Sequence, residues 1–242
     1  MKIVTWNCNG AFRKKYHWVD NLNPDIAVIQ ECEDPSQVKD NKYRNWATNY
    51  HWIGKNKNKG LGVFAKEGVK LERLAWPSGK LELFLPCKIN DTFNLLSVWT
   101  RQANSPTFQY IGQFWQYLQI NRNLMKEENI IIAGDFNSNS VWDVWDRWWN
   151  HSDVMRELEE IGIKSIYHTV YKQPQGKETA ATFYMYRKSD KPYHIDYILC
   201  SSFLEDKTEN MNIGSPEKWL EVSDHMPIEV ELELAYSAGA SR

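Results

Sequence analysis

Nine short apolar runs, at residues 2–6, 26–30, 61–65, 82–89, 93–99, 130–133, 182–186, 194–200 and 227–234, constrain the fold more than any other feature of this chain. Each is rich in Val, Ile, Leu and aromatic residues and too short for an ordinary helix, so each predicts a β-strand. Helical signals are fewer. Residues 13–22 read as a helix stopped by Asn23-Pro24. Ser105-Pro106 reads as a cap with proline at the first helical position, after which Ile111, Phe114, Trp115 and Leu118 keep helical spacing. A third helix is expected to start near residues 150–152, with Asp153 and Glu157 early in it, and to end at Gly162. Strands and helices mixed along 242 residues, with no linker, repeat or low-complexity tract, predict a layered α/β (α+β) architecture. A single domain over residues 1–236 is expected. The last residues, Ser237 to Arg242, lack pattern and read as a flexible end or a cloning remnant.

Apolar residues make up 42% of the chain and charged residues 25%, a balance that supports a sizeable core and argues against disorder. The net charge of -2 exerts no global pull on a polyanion or a membrane. Its placement is uneven: residues 1–80 hold 14 Lys/Arg against 8 Asp/Glu, and residues 201–234 hold 2 against 9. An anionic partner would meet the first third, although solvated faces without a partner produce the same pattern. Cys8, Cys32, Cys87 and Cys200 lie far apart in apolar surroundings and read as reduced core thiols, neither a zinc site nor a disulfide framework. The chain opens directly into the strand-like Lys2-Ile3-Val4-Thr5-Trp6, and no apolar stretch reaches membrane-spanning length. A cytoplasmic monomer without membrane attachment is the expectation.

Several strands end in polar residues of one chemical kind. The first ends Trp6-Asn7, the second Gln30-Glu31, another Gly134-Asp135-Phe136-Asn137; His194-Ile195-Asp196-Tyr197 lies within a strand pattern, and Ser223-Asp224-His225 precedes the last run. A lone Asn or Asp after a strand is more often a turn former. Together, carboxylates and amides at strand ends can converge on one rim of a sheet. With several carboxylates, two amides, one imidazole and no Cys/His cluster, such a rim has the oxygen-rich character that Mg²⁺ or Mn²⁺ prefers.

In this order, these five motifs resemble the motif set of the endonuclease/exonuclease/phosphatase superfamily, related to deoxyribonuclease I and the apurinic endonucleases, over residues 3 to about 234. The resemblance implies a four-layer α/β/β/α sandwich of two packed, largely antiparallel sheets. It implies Glu31 as the main metal ligand with Asn7 and Asp224 close by, and Asp135 orienting or deprotonating the attacking water, steadied by Asn137. His225, polarised by Asp196, would contact the scissile phosphate; a histidine beside a carboxylate gains protonated population near neutral pH. No Ser, Cys or Lys sits in a motif that would activate it as a covalent nucleophile.

One departure stands out. Many relatives carry His or Tyr near the end of the central strand, where this chain has Trp99. Its indole N–H can donate a hydrogen bond, and Arg101 can supply charge on the same side; equally, Trp99 fills core and Arg101 is solvated. The stretches Ser165-Ile166-Tyr167-His168 and Thr182-Phe183-Tyr184, with the Trp99 slot and Asn137-Ser138-Asn139, resemble a bacterial branch of the superfamily. Trp142, Trp145, Trp148 and Trp149 follow at roughly helical spacing, either a buried helical stripe or rings that stack on a base. Trp99, Arg101, His168 and Trp142 are thus the expected substrate contacts.

The leading expectation is a metal-dependent phosphodiesterase, a nuclease on short or single-stranded nucleic acid. The alternatives are a small-molecule phosphoesterase (nucleotide, inositol phosphate or lipid head group) and an inactive binding module, against which the complete motif set argues.

Overall fold

The computed structural model describes residues 1–102 and 105–234. The expected tail at 237–242 lies outside the described residues. In chain order the strands are β1 (Lys2–Asn7), β2 (Ile26–Cys32), β3 (Tyr50–Asn56), β4 (Lys59–Ala65), β5 (Leu71–Arg73), β6 (Phe84–Ile89), β7 (Phe93–Trp99), β8 (Ile130–Asp135), β9 (Ile163–Ser165), β10 (Phe183–Tyr184), β11 (Pro192–Tyr193), β12 (Asp196–Ser201), β13 (Thr208–Ile213) and β14 (Ile228–Leu232). They form two six-stranded sheets, ordered β13-β14-β1-β2-β4-β3 and β5-β6-β7-β8-β12-β9, and the small hairpin β10-β11.

Each large sheet contains one parallel pair, β1 with β2 and β7 with β8; the other pairings are antiparallel. Parallel neighbours require a crossover, supplied in the second sheet by the helix Ile111–Glu127. The consequence is positional. Both parallel pairs finish at the same edge of their sheet, which brings Asn7 beside Gln30 and Trp99 beside Asp135.

Strand alternation builds the layers, because successive side chains point to opposite faces. Ile3, Val28, Val63 and Val230 of the first sheet meet Leu85, Leu95, Ile131 and Ile198 of the second in the central layer. The residues between them point outward: Val4, Trp6 and Ile29 pack on Phe12, Val19 and Trp219, and Leu96, Ile130 and Ile132 pack on Phe114, Leu118 and Val154 from two helices. This is the four-layer sandwich with largely antiparallel sheets that the motifs imply. Burial on both faces explains why these strands read as near-continuous apolar runs, and truncating one such side chain, as in Ile132→Ala, should cost about 2–5 kcal/mol. All four cysteines are free and buried.

Three local expectations need correction. The Ser105 hydroxyl accepts from Phe108 N at 2.8 Å and closes a turn, and the helix itself begins at Ile111. Residues 13–22 split into a 3₁₀ turn (Phe12–Lys14) and a short helix (Tyr16–Asp20). The tryptophans after Asp135 form no helical stripe. Asn150 gathers that segment instead: its Oδ1 accepts from Val144 N (3.0 Å) and Arg147 Nε (2.9 Å), and its Nδ2 donates to the carbonyls of Val144 (2.9 Å) and Arg147 (2.6 Å). With its polar groups satisfied from within, the loop leaves Trp142, Trp145 and Trp148 exposed, Trp145 by 96%. Trp149 alone turns inward, onto Phe108 and Trp115.

Candidate active site

The edge shared by the two parallel pairs is shaped by two backbone irregularities. In β2, Gln30 pairs with Leu61 and Cys32 with Gly60, so Glu31 is the extra residue of a bulge, with φ 65°. A bulge re-aims one side chain; here it brings Glu31 Oε2 to Lys59 Nζ at 2.8 Å. In β8, Gly134 has φ 152°, and a Cβ there would lie 1.8 Å from the Val98 carbonyl oxygen. Only glycine lets β8 approach β7 this closely, one residue before Asp135.

Asp135 is the hub. Its Oδ2 accepts from the side-chain amides of Asn7 and Asn137, each at 2.9 Å, and its Oδ1 from Asn137 N at 2.8 Å. Asn137 sits at φ 46° and also donates to the Thr100 carbonyl at 3.0 Å, which ties it to the end of β7. Directly across the β8-β12 ladder lies Asp196, whose Oδ2 is 2.9 Å from His225 Nδ1. Ser223 locks the last motif to the first: its hydroxyl donates to the Asn7 carbonyl at 2.7 Å and accepts from His225 N at 3.0 Å. Trp6 Nε1 donates to the His225 carbonyl at 2.9 Å.

Asp135 and Asp196 are each at most 2% exposed, so the charges act in a poorly solvated setting. Burial, reinforced by the Asp196 charge, pushes the Asp135 carboxyl up to about 7. For His225 burial opposes the cation, but the Asp196 carboxylate outweighs it and holds the ring at about 9. A carboxylate poised near neutrality beside a charged imidazole can accept a proton next to a group able to donate to an anion.

The structure thus brings together Asn7, Asp135, Asn137, Asp196 and His225. Glu31 follows Gln30, the register partner of Asn7, and its side chain is paired with Lys59; Asp224 lies between Ser223 and His225 in the chain, and neither carboxylate falls within the 4.8 Å cluster of Asp135, Asp196 and His225. Trp99 is 4% exposed and in register with Asp135; Arg101 Cζ and Lys59 Nζ lie 5.2 and 5.7 Å from its ring centre. Trp142 packs on Tyr193 at 5.2 Å. His168 is engaged elsewhere, with Ser165 Oγ at 2.7 Å and Glu178 Oε1 at 3.0 Å, and shares no hydrogen bond with the Asp135 group among the described residues. Sequence reasoning missed the contacts of Thr100 and Ser223, which join strands far apart in the chain, and that of Lys59, visible only as one of the 14 Lys/Arg of residues 1–80.

Acidic and histidine ligand atoms of Asp135, Asp196 and His225 lie within 4.8 Å of one another. Within this trio Asp196 and His225 bond to each other, and Asp135 accepts from two side-chain amides.

Solved structures with the same fold include an AP endonuclease from Archaeoglobus fulgidus, 19% identical, covering 97% of this chain and 100% of that one with a TM-score of 0.72. A 3′ phosphatase, NExo, from Neisseria, in a structure with product DNA hairpin, is 19% identical with the same coverages and a TM-score of 0.70. The AP endonuclease LMAP from Leishmania major is 15% identical, covering 97% of this chain and 88% of that one with a TM-score of 0.68. No curated protein matches in sequence. The model of the Endonuclease/Exonuclease/phosphatase family matches residues 4–225, which hold every residue of the Asp135 group, and the chain belongs to that family of phosphoric ester hydrolases.

Proposed function

We propose that the protein is a nuclease that hydrolyses phosphodiester bonds in short or single-stranded nucleic acid with Mg²⁺ or Mn²⁺. The carrying observation is the double amide clamp on Asp135 beside the Asp196–His225 pair. Asp135 takes the proton from the attacking water, and the amides of Asn7 and Asn137 hold its carboxylate in place for that transfer. His225, with Nδ1 on Asp196, turns Nε2 toward a non-bridging phosphate oxygen and donates as a cation. The donors fit a hard divalent cation: Glu31, Asp224 and the Asn7 amide oxygen supply oxygen ligands only, and Glu31 is already oriented by its bulge. When bound, the ion supplies charge against the phosphate oxygens.

The size of the substrate is read from the surroundings. A cavity of about 410 Å³ adjoins Trp99 and Arg101 and is also lined by Lys80, Glu82, Gln113 and Gln116, room for one nucleotide. Lys59 and Arg101 flank Trp99, while residues 201–234 around Asp224 carry nine Asp/Glu against two Lys and disfavour a long polyanion on that side. Binding should therefore weaken only gently with salt, as for roughly two or three phosphate contacts. The unpaired buried thiols suit the reducing cytoplasm, where the protein acts as a monomer.

The test is hydrolysis of labelled single strand, duplex and small phosphodiesters with Mg²⁺ or Mn²⁺, with binding to an Asp135→Asn variant measured across salt. Cleavage of single strands with a shallow salt slope is expected. Tight duplex binding with a steep slope would overturn the size assignment, and undiminished turnover in excess chelator would overturn the metal.

A further inference from the structure

The loop of residues 141–148 presents Val141 (59% exposed), Val144 (45%), Trp145 (96%) and Trp148 (66%) to solvent. We propose that it is a stacking surface for the unpaired bases of the strand held in the active site, an inference that rests on the nuclease reading above.

The loop is built for presentation. Asn150 makes four hydrogen bonds to it, and Asp143 accepts from the backbone of His151 (2.9 Å) and Ser152 (3.2 Å), pinning it to the start of the helix His151–Glu159. Trp148 meets Trp149 edge-on at 4.9 Å, and Trp149 is wedged against Phe108 at 4.7 Å. The loop backbone and the Trp148 ring are thus held in place, which lowers the conformational entropy lost on binding. Large aromatic groups held in water in this way gain free energy when a flat apolar partner covers them.

Continuity with the site and charge select the partner. Phe183 packs on the His225 ring at 4.6 Å and is the ladder neighbour of Tyr193's strand, and Tyr193 packs on Trp142, the first ring of the loop. A strand leaving His225 meets a row of aromatic groups that reaches Trp142, three residues before Trp145 in the same loop. Within residues 141–148 the charges are Asp143, Asp146 and Arg147, with no cationic excess for lipid headgroups or a phosphate backbone. Base faces are the part of a nucleic acid that such a surface holds, at about 1–3 kcal/mol per base.

The experiment measures anisotropy of a short labelled single-stranded oligodeoxynucleotide with the Asp135→Asn protein, alone and with Trp145→Ala, Trp148→Ala or both, and repeats it with a strand of equal length made of abasic residues. Each substitution should weaken binding about 5- to 150-fold, the equivalent of one lost stack, with the salt slope unchanged. The abasic strand should bind the parent protein at least as weakly as the normal strand binds the double variant. In an otherwise unsubstituted chain, Trp145→Ala should leave turnover of bis(p-nitrophenyl) phosphate unaltered. Equal affinity for abasic and normal strands, or unchanged affinity in the double variant, overturns the stacking surface while turnover of the small diester upholds the reading of the site. Failure to hydrolyse any phosphodiester overturns both. Binding to lipid vesicles or self-association that the double variant abolishes, with strand binding intact, assigns the loop to those partners and likewise overturns the proposal.

Discussion

Asp135 and Asp196 stand opposite one another in the β8-β12 ladder, two carboxylates side by side that their neighbours keep from acting alike. One carries two amides and the other an imidazole. Opposed surroundings of this kind separate the roles of chemically identical groups.

From that division, Asp135→Asn and His225→Ala should each lower turnover by about a hundredfold or more while circular dichroism stays native. Asn7→Ala removes one of two amides on the same oxygen and should have a smaller effect, about tenfold. Equal losses for all three would contradict Asp135 as the base. Single-turnover rates on a labelled oligonucleotide distinguish these outcomes.

Metal dependence should be governed by Glu31. Its Oε2 is bound to Lys59, half exposed at the surface, so the lysine competes with an ion for the same oxygen. Chelation should abolish turnover, Glu31→Gln should raise the Mg²⁺ requirement, and Lys59→Met should lower it by up to about fivefold, the scale of an exposed ion pair. Titration of activity with Mg²⁺ is the measurement, and an unchanged midpoint in Lys59→Met would contradict the competition.

His151 makes the fold acid-sensitive. Burial holds its ring down at about 4, where Nδ1 faces Ser138 Oγ at 3.2 Å and Nε2 faces Gln175 Oε1 at 3.1 Å. Because the unfolded chain binds this proton near pH 6.5, stability is full above 6.5 and falls as the pH drops from there to 4, by about 3 kcal/mol at most. Urea unfolding at pH 7, 5.5 and 4.5 should show a flatter decline in His151→Gln than in the parent. Parallel declines would assign the acid sensitivity to other groups.

Gly134→Ala should cost several kcal/mol and yield little folded protein, since its Cβ would overlap the Val98 carbonyl. Gly10 also has positive φ, at 73°, but open space around it, so Gly10→Ala should cost about 1 kcal/mol. Thermal melts of the two variants test the contrast.

Trp99→Phe should keep most turnover, because the ring packs beneath Lys59 and Arg101 without a described bond to Asp135. Trp99→Ala should open a cavity and cost about 3–5 kcal/mol. Near-complete loss of activity in a well-folded Phe variant would show that the indole N–H acts directly.

The buried strands were legible because burial on both faces writes a continuous apolar run, and all nine runs contain strand residues. Strands β3, β5, β9, β11 and β13 were not. In β13 only Met211 is buried, and β3 is half-buried at one end and exposed at the other; both are sheet edges, held by pairing with β4 and β14 rather than by periodicity. The residues of the Asp135 group were legible as strand-end motifs. The bulge at Glu31 was not, since it depends on how β2 registers with β4. The tryptophan loop misled because the spacing of Trp142, Trp145 and Trp149 imitates a helix, while the competing hydrogen bonds of Asn150 are invisible in a periodic pattern.

The Ser223 hydroxyl, bridging Asn7 and His225, has a bearing on when the site can be complete. A chain emerging from the ribosome exposes Asn7 more than two hundred residues before Ser223 and His225 are made. Until the segment from Ser223 onward docks against β1, Asp196 lacks its imidazole and Asn7 lacks its anchor. The last motif to be made thus fastens the first, and on the proposed reading of the site the Asp135 group is assembled only once β14 has closed the sheet.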